Sequence, residues 1–226
     1  MRSRLIVFVP CLALALSAPS AASAASIAVD RGCYANPSQR ADTVRLTGAG
    51  FTPSAQYQVT LDGQPLPGGT GTTDAAGNLT GSFTSPELDR GVREHTYRLS
   101  VQEGANAPET RFTVAQLMAA FTPAIGDPKT LKVRFKLSGF GLSGRTAPPV
   151  YVHYVRPGGK VHKTVKLGTG RGACGSIERT ARRRLFPFAA RRGTWTLQFD
   201  SSSKYRKGTS KSTFLFFAVA VKIQSG

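Results

Sequence analysis

Apolar and polar residues alternate with a period of two in short runs along the first half of the chain. The clearest runs are residues 57–61 and 97–101, in which every second side chain is apolar. Turn-forming residues separate the runs, notably Asp62-Gly63 and residues 74–78. This period is typical of β-strands with one buried face. We therefore expect about seven short strands within residues 26–115, the dimensions of an immunoglobulin-like sandwich.

The second half shows the same period, in residues 131–137, 195–199 and 217–223. The sequence RPGG between two further runs predicts a hairpin, and a turn at Gly158-Gly159 would pair Val152 with Val165 and Val150 with Leu167 on the core side. The opposite face would then point to solvent, and it carries Tyr151, His153, Lys160, His162 and Lys166. The whole pattern predicts an all-β chain of two tandem immunoglobulin-like antiparallel β-sandwiches.

Three segments of the first half carry a resemblance: LTGAGFTPSAQYQVTLDG, GTTDAAGNLTGSFTSP and YRLSVQEGANAPETRFTV. Together they resemble the immunoglobulin-like modules of secreted actinobacterial proteins, over nearly all of residues 26–115. GAGF and TTDAAGN are more distantly similar to the neocarzinostatin-type chromoprotein sandwich. That family has disulfides within its sandwich, whereas this half holds only Cys33, so no chromophore pocket is inferred.

The second half carries a resemblance of its own. VYVHYVRPGGKVHKTVKLG and RRRLFPFAARRGTWTLQFD resemble the C-terminal half of an uncharacterised family of secreted actinobacterial proteins. The resemblance covers most of residues 120–223. It implies a folded unit and no particular activity.

The first 25 residues have the layout of a secretory signal peptide. Arg2 and Arg4 precede an apolar run, and small residues follow at 20–25, the features that the export machinery recognises. Cys11 lies inside the apolar run, so a lipoprotein anchor is not indicated. Residues 214–221 are apolar but too few to span a bilayer, which takes roughly 20. We expect a protein that is secreted, and is extracellular or held non-covalently at the cell surface, with no membrane span.

The charge of the chain changes sharply near residue 115. Residues 26–115 contain seven arginines and no lysine against nine acidic residues, a net charge of −2, whereas residues 116–226 contain 21 basic residues against Asp127, Glu178 and Asp200, a net charge of +18. We therefore predict a slightly acidic domain over 26–115 and a strongly basic domain over 116–226. Such a charge favours an anionic partner without indicating a fold.

Two cysteines remain after removal of the signal peptide, Cys33 and Cys174, one in each half. In an oxidising compartment the leading interpretation is a disulfide between them. Two buried free thiols or an intermolecular disulfide are the alternatives.

Catalytic and cofactor motifs are weak. Residues 170–175 match G-x-G-x-x-G, but the following arginine-rich run is a poor helix, so a turn delivering Cys174 is the better interpretation than a dinucleotide site. His95, His153 and His162 lack the additional ligands that zinc requires, and Asp127 and Glu178 do not form a recognisable glycosidase pair. We predict no enzyme activity, no cofactor and no metal site.

Basic residues are the main functional signal. Arginine binds phosphate and carboxylate in a bidentate manner, and Tyr151 and Tyr205 could stack beside the cations. The predicted polyanion-binding residues are Arg179, Arg182, Arg183, Arg184, Arg191, Arg192, Lys204, Arg206 and Lys207.

This surface predicts a non-enzymatic protein that binds an anionic cell-envelope polymer or another extracellular polyanion, with nucleic acid only as a non-specific polyanion. The alternative is a structural or protein-interaction module without a polyanion ligand, because outward lysine and arginine also keep strand edges unpaired.

Overall fold

The structure, a computed structural model, describes residues 24–178 and 181–224. Its regular structure consists of sixteen β-strands and one short 3₁₀ helix, with no α-helix in the described ranges. The predicted all-β class is therefore confirmed. Residues 1–23, including the core of the predicted signal peptide, lie outside the described residues, as do Arg179, Thr180 and residues 225–226.

The first sandwich packs a three-stranded sheet on a five-stranded sheet. Its strands are β1 (Ser26–Val29), β2 (Cys33–Ala35), β3 (Thr43–Ala49), β4 (Gln56–Leu61), β5 (Gln64–Thr72), β6 (Leu79–Thr84), β7 (Glu94–Gln102) and β8 (Glu109–Ala115). The sheet orders are β1-β3-β6 and β2-β8-β7-β4-β5, antiparallel except for the parallel pair β2–β8. The eight strands exceed the predicted seven because β2 is too short to show a period.

Alternating apolar residues of these strands form the first core. Leu99 and Val101 of β7 are fully buried, and the ring of Tyr34 packs edge-on to Phe112 at 5.4 Å between centroids. The predicted turn at Asp62-Gly63 joins β4 to β5 with φ values of 49° and 82°. Positive φ at both positions is the geometry of a type I′ hairpin turn, which matches the twist of the flanking strands.

The second sandwich has two four-stranded sheets. Its elements are β9 (Met118–Thr122), β10 (Lys132–Ser138), a 3₁₀ helix (Phe140–Ser143), β11 (Pro149–Val155), β12 (Val161–Thr169), β13 (Ile177–Glu178), β14 (Arg183–Arg184), β15 (Gly193–Asp200) and β16 (Phe216–Ile223). One sheet has the order β12-β11-β15-β16, and the other places β9, β13 and β14 around β10.

The second core is a cluster separate from the first. It is built from residues within 117–223, whereas the first cluster is built from residues within 25–114. Trp195, Leu197 and Phe199 of β15 are buried as the alternation predicts. The division into domains at 26–115 and 116–226 stays a prediction, and the two clusters support it.

The β11–β12 hairpin has the predicted register over only part of its length. Val152 pairs with Val165 as expected, but a bulge between Val150 and Tyr151 places Val150 opposite Gly168. The predicted pairing of Val150 with Leu167 is therefore wrong. A bulge inserts an extra residue into one strand, which a simple count from the turn does not anticipate.

The prediction that His153 faces solvent is also wrong. His153 lies on the face of β11 opposite the core, yet its side chain is 0% exposed. The connection between β15 and β16 folds over this face, and the ring of Tyr205 lies 5.4 Å from the His153 ring. The second half therefore buries side chains on both faces of this sheet: the face turned away from the core, which carries His153, is covered by the β15–β16 connection.

A disulfide joins the two halves, as predicted. Cys33 in β2 and Cys174 in the β12–β13 connection are bonded, with their Cα atoms 5.2 Å apart. Both residues are buried, and they form a small cluster with Ala115 and the partly buried Leu142. Gly141 allows close approach here: its N–H donates to Cys174 O at 2.9 Å, and a Cβ at this position would lie 2.6 Å from Ala173 O.

Side-chain hydrogen bonds fix the segment between the sandwiches. The Gln39 amide accepts from Leu117 N–H at 2.8 Å and donates to Leu117 O at 3.2 Å. The Ser138 hydroxyl donates to Gln116 O at 2.8 Å, and the Ser176 hydroxyl donates to the Glu94 carboxylate. Together with the disulfide, these bonds set the position of one sandwich against the other.

Candidate anion-binding surfaces

The arginine-rich segment, residues 181–192, is packed against the second core by its apolar side chains. Leu185 and Phe186 are 1% and 2% exposed. The ring of Phe188 lies 4.3 Å from His162 and 5.3 Å from Trp195. Aromatic rings at these distances contribute attraction beyond the area they bury. The arginines therefore project from an ordered segment.

Backbone groups of the same segment are also held. The Tyr154 hydroxyl donates to Leu185 O at 2.8 Å, and Trp195 Nε1 donates to Arg191 O at 2.9 Å. Burial of the Tyr154 hydroxyl raises the pKa of its side chain, so it remains a donor at neutral pH. Hydrogen bonds from these two core aromatic residues fix the backbone beside the arginines.

Strand β14 directs the side chains of Arg183 and Arg184 to opposite faces of the sheet. β14 pairs with β10 so that Arg184 lies opposite Lys132 and Arg183 lies opposite the buried Val133. Successive side chains of a strand point to opposite faces. Arg184 and Lys132 are therefore neighbours on the exposed face, whereas Arg183 points to the core side.

Arg183 lines a cavity of about 320 Å³ at the edge of the second core, together with Tyr154, Val165, Leu167, Pro187 and the neighbouring Arg184. Its Nη1 atom is buried and has no hydrogen-bond partner among the described residues. Leaving a polar group buried without a partner costs free energy. Arg183 is therefore placed differently from Arg182 and Arg184, which are exposed.

Arg191 and Arg192 lie at the same end of the sandwich as the tip of the β11–β12 hairpin. A Cβ on Gly193 would lie 2.8 Å from Pro157 Cγ, so the start of β15 touches that tip. Arg156 Nη2 lies 2.5 Å from His162 Nδ1. Partial desolvation and the charges of Arg156, Lys163 and Arg191 lower the pKa of His162, which indicates a positive potential at this end.

We call this end the distal basic surface. Its members are exposed cations at the β11–β12 hairpin tip, at the start of β15, and on the segment that Tyr154 binds through Leu185 O, with the end of β10 that pairs with that segment: Lys132, Arg156, Arg182, Arg184, Arg191 and Arg192. Within residues 24–178 and 181–224, none of them forms a salt bridge with a carboxylate. Their positive charges are therefore not neutralised by the described part of the chain.

The three acidic residues of the second half are engaged elsewhere. Asp127 accepts from Lys129 N–H and the Thr130 hydroxyl, which closes a turn. Glu178 forms an ion pair of 2.6 Å with Lys136. Asp200 is buried at the opposite end of β15.

The remaining predicted residues, Lys204, Arg206 and Lys207, lie in the β15–β16 connection at the other end of β15. An eight-residue strand extends about 25 Å, so β15 separates this loop from Arg192. The predicted residues thus fall into two groups at opposite ends, with Arg183 turned inward and Arg179 outside the described residues.

Buried polar side chains hold the β15–β16 connection, the loop that carries Lys204, Arg206 and Lys207. Asp200 Oδ1 accepts from Ser202 N–H at 2.8 Å and lies 3.2 Å from His153 Nε2. Gln198 Nε2 donates to Asp200 Oδ2 at 2.8 Å and to Arg206 O at 2.7 Å, and Gln198 Oε1 accepts from Gly208 N–H at 2.9 Å. The loop backbone is therefore fixed by side chains from the sheet beneath it.

His153 connects this network to the next strand. Its Nδ1 atom lies 2.8 Å from the Thr164 hydroxyl. The order Thr-His-Asp resembles a proton relay, but both His153 and Asp200 are nearly unexposed. A substrate atom cannot reach His153, so the geometry favours a structural role for this row.

A cleft of about 660 Å³ lies where this loop meets the first sandwich, and we call it the junction cleft. Arg40 contributes from the first half and Arg145 from the segment after the 3₁₀ helix, while Arg206 contributes from the loop. The sequence did not single out Arg40 or Arg145, because neither lies in a basic run. Only their approach in three dimensions reveals them.

The segment 170–175 is a turn and not a dinucleotide loop. Arg171 and Ser176 exchange two backbone hydrogen bonds of 2.8 Å, which close the segment, and Cys174 lies within it. A two-residue strand follows in place of the helix that a dinucleotide site needs.

No group of three or more His, Cys, Asp or Glu side chains in the described ranges is arranged to hold a metal ion. No helix in the same ranges is long and apolar enough to cross a membrane.

Comparisons with known proteins assign this chain to no family. No protein-family model matches the chain, and no curated protein matches it. One solved structure, a tetra-tandem repeat from the extending region of a large adhesion protein, is similar at 16% identity and a TM-score of 0.27. The match covers 89% of this chain, which spans about half (49%) of that structure. At this TM-score the likeness carries no functional argument.

Proposed function

We propose that this chain is a secreted, non-enzymatic binding protein of the tandem bacterial immunoglobulin-like type, and that its distal basic surface contacts an anionic extracellular or cell-envelope polymer. The observation that carries the proposal is the exposed arrangement of Arg184 beside Lys132, on a segment held by Leu185 and Phe186. A segment whose backbone is already ordered loses less conformational entropy on binding than a mobile one.

Export is part of the same proposal. The buried Cys33–Cys174 disulfide supports an oxidising compartment, since disulfides are rare in reducing cytosol. The basic n-region and apolar run at the start of the sequence support a cleaved signal peptide.

The test is retention on an immobilised polyanion, such as a heparin or polyphosphate column, eluted by a salt gradient. The test variant changes Arg182, Arg184 and Arg191 to Ser. The control variant changes Arg45, Arg90 and Arg111 to Ser, which removes the same charge from exposed positions of the first sandwich. Each phosphate contact that is lost reduces the dependence of affinity on salt.

We expect the test variant to elute at clearly lower salt than the wild type and the control variant to elute close to the wild type. Equal shifts in both variants would mean that the column reports net charge only, and would overturn the assignment to the distal basic surface. No retention of the wild type at low salt would overturn polyanion binding and favour a protein-interaction module.

A further inference from the structure

The junction cleft has the construction of a ligand site distinct from the distal basic surface. Its volume of about 660 Å³ is within the range of small-molecule sites, roughly 300–1,000 Å³. Arg40, Arg145 and Arg206 line it with Tyr151, Phe214 and the three serines at 201–203. Both sandwiches contribute side chains, so neither half forms the cleft alone.

Two of the three arginines supply uncompensated charge. Arg145 is exposed and forms no salt bridge with a described carboxylate. The guanidinium carbon of Arg206 lies 4.2 Å from the centroid of the Phe214 ring. Stacking on an aromatic face orients a guanidinium and leaves its N–H edge free for an anion.

Arg40 has a different role, because it already has a partner. Its Nε and Nη2 atoms each donate to an Asp42 carboxylate oxygen at 3.1 Å. This pair largely neutralises the charge of Arg40. The net attraction for an anion therefore comes chiefly from Arg145 and Arg206.

Asp200 also lines the cleft, but its carboxylate is directed inward. Oδ1 is engaged by Ser202 N–H and His153, and Oδ2 by Gln198. The side chain of Asp200 is only 2% exposed. It acts as the anchor of the loop that presents Arg206, and a ligand would meet the loop and not this carboxylate.

The polar groups around the arginines indicate what the remainder of a ligand would contain. Serine side chains at 201 and 203 and the Tyr151 phenol offer hydroxyl donors and acceptors. The Tyr151 ring also offers aromatic surface. Such a mixture suits a sugar or polyol, whereas a purely electrostatic site would need only the cations.

We propose that the junction cleft binds the phosphate monoester of a sugar or polyol. Arg145 and Arg206 hold the phosphate, and the serine and tyrosine hydroxyls bind the hydroxyl groups of the carbon skeleton. The same chemistry is found in free metabolites and at the end of a phosphate-linked polymer. The proposal does not rest on the distal basic surface.

The experiment is isothermal titration calorimetry of the disulfide-bonded chain with glucose 1-phosphate, glycerol 3-phosphate and inorganic phosphate as probes. The cleft variants are Arg145→Ser and Arg206→Ser, and Lys211→Ser is the matched control, since Lys211 is exposed and lies outside the cleft. Circular dichroism confirms that each variant is folded.

We expect both organic phosphates to bind more tightly than inorganic phosphate, and each arginine change to weaken binding by about tenfold or more, the loss for one charged hydrogen bond. Lys211→Ser should bind as the wild type does. Equal affinity of the wild type and both arginine variants would overturn the site, as would absence of binding for all three probes.

Three further results separate the alternatives. Inorganic phosphate binding as tightly as the esters would remove the sugar from the proposal. Tighter binding of glucose 1-phosphate would indicate that the ligand is a sugar phosphate. Tighter binding of glycerol 3-phosphate would indicate that it is a polyol phosphate. The Arg182, Arg184 and Arg191 variant should bind the esters normally, so failure of the distal basic surface and failure of the cleft are distinguishable.

Discussion

His153 Nε2 lies 3.2 Å from Asp200 Oδ1, and both side chains are sealed from solvent on the outer face of a sheet. Burial alone would raise the pKa of the Asp200 carboxyl, but hydrogen bonds from His153, Gln198 and the Ser202 backbone outweigh it and hold this pKa below its usual value. Asp200 is therefore ionised at neutral pH, and Nε2 carries the hydrogen. The pair anchors the loop that spans residues 201–215.

Asp200→Asn should destabilise the second sandwich. The amide nitrogen replaces one carboxylate oxygen and faces the donor that this oxygen accepted from, either Gln198 Nε2 or Ser202 N–H. The free energy of unfolding should therefore fall by about 2–3 kcal/mol, the range for losing a hydrogen bond to a charged group. Denaturant unfolding at pH 7 measures this loss. Asp89→Asn, at an exposed position, serves as the control and should change stability by less than about 0.5 kcal/mol.

The stability difference between the wild type and Asp200→Asn should depend on pH. Folding lowers the pKa of Asp200, so its contribution is complete well above the unfolded value of about 3.9 and is lost as the pH falls below it towards the folded pKa. Comparing the two proteins cancels the other carboxyls, among them Asp30, Asp42 and Asp62, whose pKa values are also lowered. Unfolding midpoints between pH 2.5 and 7 test this, and a difference that does not decline at low pH would contradict it.

Removing the disulfide should cost a large part of the stability. The bond closes a loop with a sequence separation of 141, and the chain-entropy model gives roughly 5 kcal/mol for a loop of this length. The variant with Cys33 and Cys174 changed to Ser should unfold at clearly lower denaturant than the wild type. A free-thiol assay of the denatured, unreduced wild type should detect no free thiol from these two residues, and two reactive thiols per chain would disprove the bond.

Arg183→Met should leave stability unchanged or raise it by about 1 kcal/mol, because it removes a buried donor without a partner and keeps the apolar part of the side chain. Arg184→Met is the matched neighbour on the exposed face. On a polyanion column Arg184→Met should lower the elution salt more than Arg183→Met. Equal elution of the two variants would show that β14 does not distinguish their side chains.

Phe186→Ala should lower the free energy of unfolding by about 3–5 kcal/mol, as truncation of a buried aromatic residue usually does. Phe186 is 2% exposed and packs 5.6 Å from the Trp195 ring. Phe186→Leu should cost much less, since it keeps most of the apolar volume. Thermal unfolding of the two variants provides the comparison, and equal losses would mean that the segment 181–192 is not anchored through this ring.

The strand pattern of this chain was predictable because it is local. Val133, Phe135 and Leu137 alternate with basic residues, and burial follows that alternation in β10. The turn at Asp62-Gly63 was equally clear, since both residues tolerate positive φ. Such features depend on a few consecutive residues, so they can be predicted from the sequence alone.

The functional surfaces were only partly predictable, because they depend on distant parts of the chain. The alternation predicts the correct face of the strand for His153, but the loop that covers this face carries Tyr205, more than 50 residues away in sequence. The sequence leaves open whether the two basic runs share one face, and β15 places them at two ends. Arg145 stands alone in sequence, and its neighbours in the junction cleft come from three separate segments.

The disulfide also determines which parts of the chain would carry a mechanical load. Because Cys33 is bonded to Cys174, a force applied between residues 24 and 224 passes through the bond and bypasses the polypeptide between them. Strands β3 to β12 lie inside this covalent loop, whereas β1 and β13 to β16 lie on the stretched path. Arg182, Arg184, Arg191 and Arg192 therefore lie on the path that tension would extend, whereas strands β3 to β8 of the first sandwich cannot be extended while the bond holds.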